Sequence, residues 1–276
     1  MPKNVTVDEL KAIAKELRLN IIKTANYAGS GHVGGSLSAA DVLAALYFKY
    51  LNVDKDNPDM FERDRFILSK GHCALAYVPT LAMAGFVPME SLEHFNHYES
   101  AYGMHPDSRK IRGCDASTGS LGHGLPMGVG MALGLRYQGN MDSKVVVLMG
   151  DGEQNEGSVW EAAMAGAHYK LENLIAIVDR NKLMIDGPTE EVMGIDPLDK
   201  KYEAFGWYVI SCNGNDMADV DRALAEAWEK KGKPVAIISN TEKGYGVKRF
   251  QGKVPWHYGS MNSDLYKEAI ADIESL

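Results

Sequence analysis

Cysteine is scarce in this 276-residue chain. There are three in all, Cys73, Cys114 and Cys212, far apart and without CxxC spacing. No disulfide framework or zinc ribbon fits them, so each reads as a small core or loop residue in a reducing compartment. Positive charge is also short. Lys and Arg number 29 against 37 Asp and Glu, a formal net charge of −8, which argues against nucleic acid or an anionic membrane as a partner. Apolar runs are no longer than strands, and charge interrupts the amphipathic amino-terminal segment throughout. Neither a signal peptide nor a membrane span is read, and the expected location is the cytoplasm. No Pro/Ser-rich linker, low-complexity tract or internal repeat divides the chain. The length allows one large or two small domains, and residues 1–276 read as one.

What is present is a series of segments with helix and buried-strand periods. From Thr6 to about Ala28, Leu10, Ile13, Ala14, Leu17, Ile21 and Ile22 share one helical face, with Thr6 and Glu9 placed for a capping box. A glycine-rich loop, Gly29 to Ser36, precedes an expected helix from Ser38 to Tyr50, a short strand Phe66–Leu68 and a helix after Gly71. Residues 99–124 lack periodicity for a length that is usually functional or disordered. Val145 to Met149 and Leu174 to Val178 are apolar, β-branched runs of buried-strand length. A helix-like segment, Trp160 to Tyr169, joins them, and the polar turn Asp179, Arg180, Asn181, Lys182 follows the second. Trp207–Ser211 and Val235–Ser239 read as further strands, Met217 to Lys230 as the helix between them, and Asp264 to Ile273 as a last helix. A strand–helix–strand unit crosses over right-handed and lays its strands parallel. The fold class is therefore α/β, a parallel sheet with helices on both faces. The polar turns meet at its carboxyl edge, where ligands bind in such folds.

Asp151, within Gly150–Gly152, follows the first of these strands, and Asn181 follows the second. A carboxylate and an amide carbonyl are hard oxygen ligands suited to magnesium or calcium. Gly150 and Gly152 allow close backbone approach and offer amide hydrogens to an anion. A lone GDG is equally well an acidic loop. With Asn181 one crossover later, a metal–diphosphate site becomes the preferred reading. Of eight histidines, His32, His72, His105, His123 and His257 lie in Gly-, Pro- or Trp-rich segments. Singly each reads as an exposed loop residue; together they suggest a polar pocket for a phosphorylated sugar and its oxyanions. His94 and His97, three apart on one helical face, and His168 at a helix end are given no role. Pro126 opens a helix carrying Gly128, Gly130, Ala132 and Gly134, a small-residue stripe that permits close packing.

The stretch 150–181 resembles the thiamine-diphosphate motif, GDG followed one crossover later by an Asn-containing turn. SGHVGGSLSAAD (30–41), RDRFILSKGHCALAY (63–77), MHPD (104–107), STGSLGHGLPMGVGMALG (117–134) and WHYG (256–259) resemble transketolase segments in the same order. The resemblance covers nearly the whole chain. It implies the diphosphate-binding domain of the thiamine-diphosphate-binding fold. It also implies transfer of a two-carbon ketol unit from a ketose phosphate to an aldose phosphate, in the pentose phosphate pathway or on a sulfonated or branched sugar. By the same resemblance, Asp151, Asn181 and the carbonyl of Leu183 hold magnesium (calcium is possible), and Gly119 and Leu121 bracket the cofactor. Gly150, Gly152 and Glu153 join that cofactor-binding set. His32, His72, His105 and His257 align with histidines around the donor sugar and the cofactor's reactive carbon, His72 and His257 also near the diphosphate.

Two positions keep two readings, and a third departs from the family. Glu156 is either a carboxylate beside a helix dipole or, by resemblance, part of an acidic network joining two active sites across a dimer interface. Lys243, in TEKGYG, is either a surface lysine or a charge near the diphosphate. His123 departs from the family, which commonly has glutamine there; both side chains donate a hydrogen bond.

Transketolase also implies what lies elsewhere. The glutamate that faces the cofactor's aminopyrimidine and the arginines that bind sugar phosphate belong to its second domain, which no segment here resembles. The chain stops at Leu276, where a full-length transketolase has finished its first domain. The expectation is the amino-terminal subunit of a split transketolase, inactive alone. Its pyrimidine-binding and carboxyl-terminal domains would lie on a separate chain, the two forming a heterotetramer. Two rivals remain: the alpha subunit of a 2-oxo acid dehydrogenase, and a non-catalytic cofactor-binding module.

Overall fold

The computed structural model describes residues 2–276. The order begins α1 (Val7–Ala28), β1 (Ser30–Gly31), α2 (Val33–Ser38), α3 (Ala40–Ala45), β2 (Arg65–Leu68), α4 (Ala74–Met83) and α5 (Gly124–Tyr137). It continues with β3 (Val145–Gly150), α6 (Gly157–His168), β4 (Leu174–Arg180), α7 (Thr189–Met193), α8 (Leu198–Ala204) and β5 (Tyr208–Asn213). Last come α9 (Met217–Glu229), β6 (Val235–Asn240), β7 (Gly259–Ser260) and α10 (Ser263–Glu274). Five strands form one parallel sheet in the order β2–β3–β4–β6–β5, with β4 central.

Alternation along the strands builds a core on each face. Val146, Leu148, Ile175, Ile177, Val235 and Ile237 pack with α1, α3, α4 and α9. Val147, Met149, Ala176, Val178, Ala236 and Ile238 pack with α5, α6 and α8. Burial on both faces is why these strands read as continuous apolar runs. The helix α1 starts at the expected box: Thr6 Oγ1 accepts from Glu9 N–H and Glu9 Oε2 accepts from Thr6 N–H at 2.8 Å. Gly29, at φ 74°, closes its other end. The helix α10 packs back on α1 through Ala269 and Ile273. Among the described residues no helix is long and apolar enough to cross a membrane.

Several expected boundaries move. The second half of the loop Gly29–Ser36 belongs to the helix α2, and every residue of α2 is buried. A Cβ on Gly34 would stand 2.7 Å from the Trp256 carbonyl, and one on Gly35 would stand 3.0 Å from Cys73 Sγ. Those glycines serve close packing rather than loop freedom. The helix expected over Ser38–Tyr50 is α3 followed by a π-helical turn, Leu46–Tyr50. Asp179 and Arg180 belong to β4 rather than to a turn, pairing with Ser239 and Asn240 of β6. Trp207 precedes β5 and anchors the core instead, its indole N–H donating to the Ala163 carbonyl at 2.7 Å. The helix α6 begins at Gly157, ahead of Trp160. Met89–His94 is a 3-10 turn that ends before His97, so the two histidines do not share a helical face. Only part of the small-residue stripe in α5 packs. A Cβ on Gly128 would meet Val147 Cγ2 at 2.6 Å, whereas Gly130 and Gly134 face open space. Residues 99–123 do lack helix and strand.

Candidate active site

At the carboxyl edge of the sheet the strand ends and their loops enclose a cavity of ≈ 380 Å³. The end of β3 supplies Gly150, Asp151, Gly152 and Glu153, with Glu156 beyond them, and the segment after β4 supplies Asn181 and Leu183. His32, at the start of α2, His72, from the β2–α4 connection, Gly119 and Leu121, from the long loop, and Lys243 and His257, after β6, complete the predicted set. His105 alone of that set does not line the cavity. It stands at the rim, its ring centroid 6.3 Å from that of His32. His123 is exposed at the N-cap of α5, away from the lining.

Asp151 is 2% exposed. Its Oδ2 accepts from Lys182 N–H at 2.6 Å, Arg180 Nη1 at 3.1 Å and Thr189 Oγ1 at 3.3 Å; among the described residues its Oδ1 accepts only from Gly152 N–H at 2.8 Å. Burial, and then repulsion from Asp179, hold its carboxyl above the usual carboxylate range. Asn181 is fixed at both ends, Nδ2 donating to Asp179 Oδ2 at 3.0 Å and Oδ1 accepting from Leu183 N–H at 3.2 Å. The Leu183 carbonyl accepts from Lys243 Nζ at 2.7 Å, so an ammonium already rests on it. A carboxylate, an amide carbonyl and a backbone carbonyl suit a hard divalent cation that takes its other ligands from water and phosphate. Among the described residues no group of three His, Cys, Asp or Glu is placed to hold a metal on its own. An ion here would therefore depend on those other ligands.

Lys243 is 2% exposed, which rules out the surface-lysine reading. Burial lowers its ammonium to about 8, and its Nζ also lies 2.8 Å from His257 Nδ1. Glu153 is spent within the protein. Its Oε1 accepts from Ser69 Oγ and from Gly122 N–H at 2.9 Å, and its Oε2 accepts from Gly150 N–H at 3.0 Å. It ties the glycine turn to the long loop. Glu156 caps α6 without a side-chain hydrogen bond and is exposed on the cavity lip.

The histidines form one cluster. His32 lies 5.0 Å from His72 and 5.5 Å from His257 between ring centroids, and His72 stacks on His257 at 5.3 Å. Burial first, and then neighbouring histidines and lysines, lower His32 and His72 to about 4 and His257 to about 3. The three are neutral near pH 7. His32 Nδ1 is buried without a partner among the described residues. Unfolded imidazole titrates near 6.5. Between about 4 and 6.5 the unfolded chain therefore binds more protons, and stability rises with pH across that window. Melting temperature is expected to fall from pH 7 to pH 5, and to fall less in His72→Asn. Equal slopes for the two proteins would refute the assignment.

Five lining residues escaped the sequence reading: Gly35, Lys70, Asn155, Met184 and Ile185. Lys70 lines the cavity, and its Nζ donates to Asp179 Oδ2 at 2.5 Å and to the Gly35 carbonyl at 2.8 Å. Its available signal was a lysine directly after an apolar strand at the ligand edge. Met184 and Ile185 add an apolar lip that nothing local announced. Cys73, Cys114 and Cys212 are free thiols, as expected.

The comparisons with known proteins agree with this geometry. A protein-family model described as transketolase, thiamine diphosphate binding domain, matches residues 9–272. An apulose-4-phosphate transketolase subunit of Phocaeicola vulgatus is 42% identical over 97% of this chain and 94% of its own length. The 6-deoxy-6-sulfo-D-fructose transketolase subunit of a Clostridium species is 40% identical over 96% of each chain. Among solved structures, the transketolase of Campylobacter jejuni superposes with a TM-score of 0.90 at 28% identity, over 99% of this chain. This chain spans only 43% of that protein. On the family match and these relatives together, the chain belongs to the transketolase family.

Proposed function

We propose that the chain is the amino-terminal, cofactor-binding subunit of a two-chain transketolase. It would move a two-carbon ketol unit from a ketose phosphate to an aldose phosphate. The observation that carries this reading is the meeting of three oxygen ligands, two buried lysines and a neutral histidine cluster in one cavity. Asp151, Asn181 and the Leu183 carbonyl would hold magnesium, or calcium, against the diphosphate of thiamine diphosphate. Gly150 and Gly152 allow close approach there, Gly119 and Leu121 bracket the cofactor, and Lys70 and Lys243 supply the positive charge that the acidic surface lacks. Bound there, the cofactor supplies the carbanion chemistry of carbon–carbon bond exchange. His32, His72, His105 and His257 would hydrogen-bond sugar hydroxyls and move their protons, because a neutral imidazole both donates and accepts. Glu156 on the lip would link to an acidic network across a subunit interface.

Several facts support a separate partner. The bacterial relatives matched end to end are named subunits, whereas the full-length enzyme continues well beyond this chain. Ile185 and Met193 are 61% and 62% exposed beside the cavity, an apolar lip on which a partner would close. Lys70 and Lys243 are the only Lys or Arg among the lining residues, and both sit among the metal–diphosphate ligands. Recognition of the sugar's far anionic end would then fall to the partner. A heterotetramer in the cytoplasm is the assembly we infer. The 2-oxo acid dehydrogenase reading is not favoured, since the relatives matched end to end bear transketolase names. We infer a substrate of the kind those relatives are named for, apulose 4-phosphate or 6-deoxy-6-sulfo-D-fructose, beside the pentose phosphates.

The test is a coupled assay with magnesium and thiamine diphosphate. Xylulose 5-phosphate and 6-deoxy-6-sulfo-fructose would serve as donors and ribose 5-phosphate as acceptor. The chain would be assayed alone and mixed with the product of the adjacent reading frame. Activity is expected only in the mixture. Full activity from the chain alone, or carbon dioxide release from a 2-oxo acid, would overturn the proposal.

A further inference from the structure

The carboxylate near the end of the central strand, Asp179, is 2% exposed and does not line the cavity. Donors from separate segments converge on it. Its Oδ2 accepts from Ser38 Oγ at 2.7 Å, Lys70 Nζ at 2.5 Å and Asn181 Nδ2 at 3.0 Å, and its Oδ1 accepts from the Thr241 hydroxyl. Ser38 ends α2, Lys70 follows β2, Asn181 follows β4 and Thr241 follows β6. Asp179 thus ties four segments of the site's floor together.

The consequence for Asn181 is directional. The two ends of an amide have nearly the same shape, so hydrogen bonds decide which end faces which way. An ionised carboxylate only accepts, and a backbone N–H only donates. Asp179 therefore takes the NH₂ end of Asn181, and Leu183 N–H takes its carbonyl end. Reversing the amide would set oxygen against carboxylate and NH₂ against N–H. We propose that Asp179 is a positioning residue that fixes the Asn181 carbonyl oxygen as a metal ligand, and in the same stroke neutralises the buried Lys70 beside the diphosphate. This rests on the metal-site reading above.

The confounding role is that of a counterion. Asp179→Asn alone strands Lys70, and breaking a buried pair from one side is strongly destabilising. Lys70→Met alone strands Asp179 in turn, so the informative comparison is between two variants without a stranded charge: Lys70→Met/Asp179→Asn, whose amide oxygen can still accept from Asn181 Nδ2, and Lys70→Met/Asp179→Leu, which accepts nothing. The full chain, assembled with its partner chain and saturated with thiamine diphosphate, is titrated with Mn²⁺ while free Mn²⁺ is read by electron paramagnetic resonance. The leucine variant is expected to bind Mn²⁺ about 10–100-fold more weakly than the asparagine variant, the loss typical of groups that orient metal ligands. Thr241→Val, which removes a donor facing away from Asn181, is expected to stay close to the unsubstituted protein. Equal Mn²⁺ affinity in the two double variants would overturn the inference. No Mn²⁺ binding by the unsubstituted protein would instead overturn the metal-site reading itself. A second measurement needs no substitution. In the ¹⁵N-labelled chain, one side-chain amide proton of Asn181 is expected to exchange slowly and resonate downfield before metal is added, and to remain so afterwards. Rearrangement of that amide on adding Mg²⁺ would refute prior orientation by Asp179.

Discussion

Asp151→Asn is expected to weaken metal-dependent binding of thiamine diphosphate by more than about 100-fold, beyond the ~10–100-fold usual for groups outside the ligand shell. The unliganded chain is expected to melt close to the unsubstituted one, the relief of buried charge offsetting the lost bond from Gly152 N–H. The two halves have one cause. The buried carboxylate of Asp151 is held above its usual range by burial and by Asp179, so its charge is unfavourable until a cation arrives. A neutral amide removes that repulsion. Its oxygen still accepts from Lys182 N–H, while its NH₂ takes the place of the Oδ1 that accepted from Gly152 N–H, so that one backbone bond is lost. Arg180 is not stranded, since it keeps Glu190 at 2.7 Å and Asp196 at 3.0 Å. Calorimetric titration with magnesium and cofactor, alongside melting of the free chain, separates the outcomes. Unchanged cofactor binding would sink the metal site. A large drop in melting temperature would make Asp151 chiefly the structural partner of Arg180.

The parts of the molecule legible in the sequence were those whose signal is local. The strands β3 and β4 read as apolar runs because both faces are buried, and parallel crossover sets Asp151 and Asn181 on one edge. The capping box of α1 spans four residues and needed nothing distant. Illegible parts depend on contacts far apart in sequence. Gly34 and Gly35 look like loop residues until Trp256 and Cys73 are seen pressed against them. Asp179 and Arg180 look like a turn because they are charged, yet they extend β4 because Lys70 and Asp151 meet their charges there. The exposure of Lys243 could not be settled from TEKGYG, since Leu183 and His257 bury it from other segments. The paired strands β1 and β7, two residues each, bring the start of α2 beside His257 and left no periodicity to detect.

Arg18→Met is expected to lower stability by about 3–5 kcal/mol, a melting shift on the order of 10 °C for a chain of this size. Arg18 projects from the buried face of α1 at 3% exposure and binds both carboxylate oxygens of Asp41, itself buried. The Tyr245 ring lies 5.0 Å from the guanidinium carbon. Removing the arginine leaves Asp41 with Asn215 Nδ2 at 3.4 Å as its remaining side-chain donor among the described residues, too little for a desolvated charge. The pair as a whole is worth less than either half suggests, since both ions lost their hydration on folding and Arg18 Nε finds no partner among the described residues. Arg18→Met/Asp41→Leu is therefore expected to recover most of the loss, because a neutral apolar pair of similar volume often equals or exceeds a buried ion pair. Neither residue lines the cofactor cavity, so metal-dependent cofactor binding well below the melting temperature should hold in the double variant. If Arg18→Met melts with the unsubstituted chain, the buried pair adds nothing to the fold, and α1 is held by its leucines and isoleucines alone.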